Sequence, residues 1–175
     1  MEPIPAPDDG RRKVLVVTND SSVFLKNGAA SAFEMFGGRL TEVKNLVARL
    51  DDVCDVSFGI ITGRFGFVPA NYVILPYKDV PDSRDDYRRV QDQKDYAGRI
   101  EYVSRGFDRI VVCVPKDMLD VLIEECALPM YRVIAVAAPE HERTCRDMGW
   151  EYLPRVGARV GRENADAIIR MISDS

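Results

Sequence analysis

The sequence predicts an α/β fold: a three-layer α/β/α sandwich, Rossmann-like, with a mainly parallel sheet of four or five strands. Three observations predict it. Short apolar segments alternate along the chain with segments whose apolar residues recur at helical spacing. The apolar segments are continuous rather than alternately polar, as strands covered on both faces are. The length of 175 residues suits one domain, so we predict a single α/β domain over 13–175.

The N-terminal segment has a different composition from the rest. Its first ten residues contain prolines and aspartates and lack the apolar stretch of a signal peptide. We predict a disordered tail over 1–12. No apolar run approaches the roughly 20 residues that span a bilayer. We therefore expect a cytoplasmic protein without a membrane partner.

The predicted strands are rich in β-branched residues and end at polar or turn-forming residues. They span 13–17, 54–61, 109–114 and 132–137, with a short fifth strand over 150–153. The proline-bounded segment 72–75 suits either a brief edge strand or an extended connection.

The predicted helices carry apolar residues on one face. They span 40–50, 84–105, 115–126, 140–148 and 165–172, and the small-residue segment 28–36 suits a further helix. Ser83 and Asp86 resemble a capping box at the start of the long second helix. Gly106 suits a cap at its end.

Polar residues follow each of the four central strands. The carboxyl ends of parallel strands meet at one edge of a sheet, and ligands bind there at the point where strand order reverses. We therefore expect these residues to line one cleft. The four ends are Thr18-Asn19-Asp20, Thr62-Gly63-Arg64, Pro115-Lys116-Asp117 and Pro139-Glu140-His141.

The loop after the second strand, Thr62-Gly63-Arg64-Phe65-Gly66, is the most informative local pattern. Gly63 and Gly66 permit backbone conformations closed to other residues and let a ligand approach closely. Arg64 suits a clamp on a phosphate or carboxylate, and Phe65 suits stacking on a base or sugar. The alternative is a tight turn with its arginine in solvent and its ring in the core. The loop matches neither a Walker loop nor the dinucleotide fingerprint.

The end of the first strand supplies a hydroxyl, an amide and a carboxylate. A ligand can form hydrogen bonds with the side chains of Thr18, Asn19 and Thr62. Asp20 is the candidate catalytic residue, as a general base or an electrostatic stabiliser. Asp20 also suits a magnesium ligand, although no clustered spacing predicts a metal site. The alternative role for Asp20 is to cap the following turn.

Several other residues that could take part in chemistry also have an ordinary structural interpretation. His141, the single histidine, suits acid–base chemistry or a solvated helix surface, and mechanisms that need two histidines are excluded. The arginines at 155, 159 and 162 suit an anion site at the last helix or a mobile basic loop. The four cysteines lack paired spacing, so we expect reduced thiols in an intracellular protein.

Residues 60–67, Ile-Ile-Thr-Gly-Arg-Phe-Gly-Phe, resemble the hallmark of the YaaA-like family, an apolar strand followed by Ser-Ala-Lys-Tyr-Gly-Leu. A tyrosine-bearing segment, 72–77, follows as in that family. The resemblance implies an α/β/α sandwich of the uracil-DNA-glycosylase type and a role in handling nucleic acids or nucleobases. It also implies that Thr62, Arg64 and Gly66 occupy the presumed ligand loop. The chain departs from the family where the first strand ends, since it has no Ser or Cys followed by lysines there.

Two functional hypotheses follow. The leading one is that the protein binds a nucleobase, nucleoside or nucleotide at the carboxyl edge of the sheet, with hydrolysis or transfer as a further step. The alternative is a non-catalytic oligomeric interaction or regulatory module, because no complete catalytic set is recognisable. A net charge of −4 argues against a strongly basic nucleic-acid-binding surface and leaves a local patch open. The sequence does not identify a cofactor and leaves open whether the protein is an enzyme.

Overall fold

The structure is a computed structural model that describes residues 11–174. The predicted tail lies outside these residues except for Arg11 and Arg12. Within them the chain forms eight strands. These are β1 (Lys13–Asn19), β2 (Ala30–Ser31), β3 (Asp55–Thr62), β4 (Gly66–Pro69), β5 (Val73–Ile74), β6 (Arg109–Cys113), β7 (Val133–Ala137) and β8 (Glu151–Pro154).

Seven α-helices accompany the strands, and a 3-10 turn (Pro139–His141) precedes the sixth. They are α1 (Ala32–Met35), α2 (Leu40–Leu50), α3 (Arg84–Lys94), α4 (Tyr96–Ser104), α5 (Lys116–Glu124), α6 (Glu142–Asp147) and α7 (Arg162–Ser173). The predicted helix over 40–50 is confirmed, and its apolar residues at helical spacing are buried. None of the helices in the described region is long and apolar enough to cross a membrane.

The predicted fold class is confirmed, although the sheet has six strands rather than four or five. Their order is β4-β3-β1-β6-β7-β8, and every neighbouring pair is parallel except β3 and β4. From β1 the chain adds β3 on one side and then β6, β7 and β8 on the other, so strand order reverses between β1 and β6. The register pairs Thr18 with Ile60 and with Cys113, so β1, β3 and β6 end at one edge.

Helices cover both faces of the sheet. Alternate residues of β1 face opposite layers, as the two-residue repeat of a strand requires. Val14 and Val16 pack with α1, α2 and α7, whereas Leu15 and Val17 pack with α3, α4, α5 and α6. Both faces of the central strands are therefore buried, which explains why their sequences are continuously apolar.

The informative loop at 62–66 is the turn of a β-hairpin. β3 turns back into β4, and Thr62 pairs with Gly66. The Thr62 hydroxyl donates to the Gly66 carbonyl at 2.9 Å and accepts from the Phe65 N–H at 2.9 Å. Gly66 has a φ of +72°, which other residues rarely adopt. The tight-turn alternative is therefore the observed local structure.

The single long helix predicted over 84–105 is wrong, because Asp95 divides it into α3 and α4. Asp95 has a left-handed backbone (φ 46°, ψ 54°) that ends α3. Its Oδ1 accepts hydrogen bonds from the Gly98 N–H at 3.0 Å and the Gln91 side chain at 2.8 Å, so it also caps α4. The predicted start is confirmed: the Ser83 hydroxyl accepts from the Asp86 N–H at 3.2 Å.

The small-residue segment 28–36 also differs from its prediction as a helix. It forms the short strand β2 and the single-turn helix α1. β2 pairs antiparallel with β5 in a separate two-stranded sheet. The segment 72–75 therefore contains a strand, as one of its two interpretations proposed.

Replacing Asp95 with alanine should destabilise the protein by about 1–2 kcal/mol, because α4 loses its cap and alanine is strained in the left-handed region. Asp95→Asn is the matched control. Asparagine caps helices and tolerates this backbone, so its cost should stay below about 0.5 kcal/mol. Urea unfolding followed by circular dichroism measures both, and equal losses in the two variants would contradict the capping role.

Candidate functional site

A cleft of about 440 Å³ opens at the carboxyl edge of the sheet, where strand order reverses. This is where parallel α/β proteins bind their ligands. Its lining comes from the ends of β1 and β6, the loop before α3, α3 itself and the loop after β8. The lining includes Asn19, Asp20, Ser21, Arg39, Val80, Pro81, Asp82, Tyr87, Pro115, Arg155 and Arg159.

Asp20 is buried at the end of β1, with 1% of its surface exposed. Its Oδ2 accepts hydrogen bonds from the Tyr77 hydroxyl at 2.5 Å and the Gly63 N–H at 2.8 Å. Its Oδ1 has no partner among residues 11–174, and neither does the Oδ1 of Asn19. Buried polar atoms are normally hydrogen-bonded. Asn19 and Asp20, which both line the cleft, therefore each leave one buried side-chain oxygen unsatisfied.

Burial also changes the protonation chemistry of this carboxyl. It raises the pKa of Asp20 to about 6, against the lowering effect of the hydrogen bonds from Tyr77 and Gly63 and of the nearby Arg159 charge. Burial and the neighbouring Asp20 raise the pKa of Tyr77 far above its usual value, so that phenol stays protonated and donates.

Tyr77 is held in place by three phenylalanines. The ring centroids of Phe24, Phe65 and Phe36 lie 5.2, 5.9 and 6.3 Å from that of Tyr77, all edge-on. Such edge-to-face contacts are favourable and orient the rings. The aromatic cluster therefore fixes the direction of the hydroxyl that binds Asp20.

Arg159 lies against the end of β1 and is 8% exposed. Its guanidinium donates to the Thr18 hydroxyl at 3.1 Å, to the Asp20 carbonyl at 2.6 Å and to the Asn19 carbonyl. Its backbone N–H donates to Glu42 of α2 at 2.8 Å. Burial, and next the charge of Arg155, lower the pKa of Arg159 to about 10, so it remains charged at neutral pH.

Arg155 is a second, half-buried cation on the same loop. Its guanidinium donates to the carbonyl of Val114 at 2.5 Å, just after β6. Burial lowers the pKa of Arg155. Within residues 11–174, neither Arg155 nor Arg159 has a carboxylate within 4 Å, whereas arginines such as Arg84 and Arg88 do.

Tyr87 of α3 forms one wall of the cleft. The residue is 5% exposed, and in the described chain its hydroxyl has no hydrogen-bond partner. Burial raises the pKa of Tyr87 to about 12, so the hydroxyl is protonated at neutral pH and can donate to a ligand.

The hairpin residues do not line this cleft. Thr62 is fully buried and its hydroxyl is used within the turn. Arg64 is exposed and lines a separate hollow of about 190 Å³ together with Gly63, while Phe65 packs on Tyr77. The expectation that Asp20, Thr62 and Arg64 share this cleft is therefore not met, because the hairpin closes on its own hydrogen bonds. The hairpin contributes through one atom, the Gly63 N–H that binds Asp20.

His141 lies outside the cleft lining and is 4% exposed, so it is not a solvated residue. Its Nε2 lies 2.6 Å from Asp120 Oδ1 on α5. The four cysteines are free, as expected, and three of them are buried. The described residues contain no group of three or more His, Cys, Asp or Glu side chains placed to hold a metal ion.

The most important cleft residues carry little local signal. Arg155 and Arg159 follow a predicted strand end and alternate with glycines, which is compatible with a basic loop as well as with a site. Gly157, with a φ of +67°, lies between them and lets the loop turn. Nothing adjacent to Tyr77 or Tyr87 distinguishes either residue from an ordinary core aromatic.

No protein-family model, curated protein or solved structure matches this chain. The resemblance of residues 60–67 to the YaaA-like family therefore stays a prediction.

The stability of the protein should depend on pH through Asp20. Its folded-state pKa of about 6 lies above the unfolded value of 3.8, so the folded state binds the proton more tightly. This stabilisation is complete below about pH 4 and is lost as the pH rises through about 6. A tenfold change in a protonation equilibrium is worth about 1.4 kcal/mol. The loss is therefore on the order of 3 kcal/mol.

Asp20→Asn cannot ionise and should abolish this contribution. Relative to wild type, the variant should gain stability between pH 4 and pH 8, as measured by urea unfolding at a series of pH values. A difference between the two proteins that does not change with pH would mean that Asp20 titrates normally in the folded state.

Tyr77→Phe should cost more stability at pH 8 than at pH 4. At pH 8 the variant removes a donor to an ionised carboxylate, worth about 1.5–3 kcal/mol, whereas at pH 4 it removes a neutral hydrogen bond worth about 1 kcal/mol. Phe36→Leu, in the same aromatic cluster but without a hydrogen bond to Asp20, is the control and should show no such pH dependence. Parallel losses for Tyr77→Phe at the two pH values would separate Tyr77 from the titration of Asp20.

Proposed function

We propose that the protein binds a nucleobase, nucleoside or nucleotide in the cleft between β1 and β6, and that it hydrolyses the bond joining base to sugar or transfers the sugar from the base to another acceptor. The observation that carries this proposal is the pair of unsatisfied oxygens, Asn19 Oδ1 and Asp20 Oδ1. A nucleobase edge presents N–H groups and carbonyl oxygens side by side. The Asn19 amide can pair with such an edge, which leaves Asp20 Oδ1, the oxygen of that carboxyl without a partner, to face the sugar.

The walls of the cleft support a flat heterocyclic ligand. Val80 and Pro81 offer apolar surface on one side, and the Tyr87 ring with its unpaired hydroxyl lies on another. A volume of about 440 Å³ falls within the range of roughly 300–1,000 Å³ common for small-molecule sites. Apolar walls with a few convergent polar groups are the usual composition of such sites.

Asp20 is the candidate catalytic residue. A carboxyl with a pKa of about 6 is mostly ionised at neutral pH yet accepts a proton readily, as a general base requires. In hydrolysis, water adds to the anomeric carbon and its proton passes to Asp20, which releases it to the departing base through solvent. The carbon–nitrogen bond breaks, and its electron pair leaves with the base. The carboxylate also stabilises the positive charge that develops on the sugar.

A second candidate function, a non-catalytic module that pairs with a second copy of this chain, is favoured by exposed apolar side chains around β2 and β5. Val73 is 63% exposed, Leu75 58% and Leu25 57%. In the described chain β5 pairs only with β2, so its other edge is open. An identical edge on a second copy can extend this small sheet.

Ligand binding distinguishes the two candidates. A nucleobase, nucleoside or nucleotide at 100 times its dissociation constant should raise the free energy of unfolding by about 2.7 kcal/mol, as measured by thermal shift. Asn19→Ala should weaken that binding about tenfold, the equivalent of one hydrogen bond. Asp20→Asn should abolish release of free base, as measured by chromatography. The interaction module would be favoured if none of these compounds shifted the melting temperature of the folded protein. Its mass in solution should then rise from that of a monomer to that of a dimer as the protein concentration increases.

A further inference from the structure

We propose that Arg155 and Arg159 form a phosphate subsite within the cleft, so that the ligand is a nucleotide with a terminal phosphate rather than a free base or nucleoside. This inference rests on the proposed function and narrows its substrate class. It starts from two cations, Arg159 buried and Arg155 half-buried, that have no carboxylate within 4 Å among residues 11–174.

Arg159 retains capacity to bind a ligand after its structural contacts are counted. A guanidinium has five N–H donors. Three of them donate to Thr18, Asn19 and Asp20 at the end of β1. The other two have no acceptor among residues 11–174. These contacts also hold the guanidinium in one orientation, so little entropy remains to be lost when an anion binds.

Arg155 has still more free donors. One N–H binds the Val114 carbonyl, and that bond places the guanidinium between the end of β6 and the loop after β8. The remaining donors have no acceptor in the described chain. Partly buried charges are usually paired. Two unpaired guanidiniums on one cleft therefore indicate that an anion completes the site.

The rest of the cleft is compatible with an anion. Of the three arginines that line it, Arg39 lies 3.8 Å from Glu42, whereas Arg155 and Arg159 have no carboxylate within 4 Å among residues 11–174. Helix α5 begins at the cleft, where Pro115 occupies the N-cap position without a side-chain cap for the first-turn N–H groups. A helix start with free N–H groups favours negative charge nearby.

The geometry favours a phosphate monoester over a carboxylate. A carboxylate has two oxygens, and a bidentate pair with one guanidinium engages both of them. A terminal phosphate has three oxygens and up to two charges, so it can accept from both arginines at once. The cleft also has room beyond the anion. The phosphate therefore anchors at Arg155 and Arg159 while the base reaches Asn19 and the sugar reaches Asp20.

The test compares matched pairs of nucleosides and their 5′-monophosphates by isothermal titration calorimetry, using the adenine, guanine, cytosine, uracil and thymine compounds. For the base that binds, the monophosphate should bind wild type at least tenfold more tightly than its nucleoside. Arg155→Gln should remove that advantage and leave nucleoside affinity within about twofold. Gln is chosen because it can retain the hydrogen bond to Val114.

Arg64→Gln is the matched control, since Arg64 is exposed and lies outside the cleft lining. It should leave both affinities unchanged. Circular dichroism and the melting temperature verify that each variant folds. If Arg155→Gln proves unstable, Arg155→Lys is the second variant. Lysine keeps the positive charge but lacks the two parallel N–H donors of a guanidinium, so its monophosphate affinity should fall more than threefold.

The outcomes separate this inference from the proposed function. Equal affinity for a nucleoside and its monophosphate in wild type would overturn the phosphate subsite and leave the nucleobase proposal standing. Suppose instead that inorganic phosphate or pyrophosphate raises the melting temperature of wild type but not of Arg155→Gln, and that no nucleobase or nucleoside binds. That result would support the subsite and refute nucleobase binding. A loss of monophosphate affinity in Arg64→Gln alone would place the anion at the hairpin and overturn the assignment.

Discussion

The hydrogen bonds from the Arg159 guanidinium to residues 18–20 are the constraint on which the cleft depends. They join the loop after the last strand to the carboxyl end of the first. Glu42 of α2 accepts the backbone N–H groups of Arg159 and Val160, which holds the loop from a third direction. A parallel sheet leaves its outermost carbonyls unpaired at this edge, and a buried carbonyl needs a donor. Arg159 supplies that donor, and in doing so it brings a cation into the cleft.

Asp20 is a second polar group that the fold keeps at some cost. Asp20 is 1% exposed and has one oxygen without a partner. With this carboxyl ionised, the folded protein is less stable than it would be with an apolar residue at that position. Its other oxygen is held by Tyr77, which the surrounding phenylalanines orient, and by the backbone of the hairpin. Strained or unsatisfied polar groups concentrate at functional sites, where they are satisfied by a ligand. The same argument applies to Asn19.

The opposite wall depends on the packing of α3 against α5. Arg84 pairs with Asp120 at 3.2 Å, and Arg88 pairs with Glu125 at 2.8 Å and also with Glu124. Exposed ion pairs contribute little one at a time, but a network across two helices fixes their relative position. Tyr87 lies between the two arginines in sequence, so this network positions the tyrosine at the cleft. His141 joins the network through Asp120, which gives the single histidine a structural role.

The sequence by itself determined the fold class, because burial leaves local patterns in it. Strands buried on both faces are continuously apolar, and helices buried on one face are amphipathic. It also placed Thr18, Asn19 and Asp20 at the carboxyl edge of the sheet, because residues at the end of a parallel strand must lie there. It did not determine the break at Asp95, where one left-handed residue with a favourable cap interrupts an otherwise helical pattern. Nor did it distinguish a ligand loop from a hairpin at 62–66, since both need glycines. Only the tertiary structure brought Arg155 and Arg159 to β1, because contacts between residues so distant in the chain depend on how the layers pack and leave no local pattern.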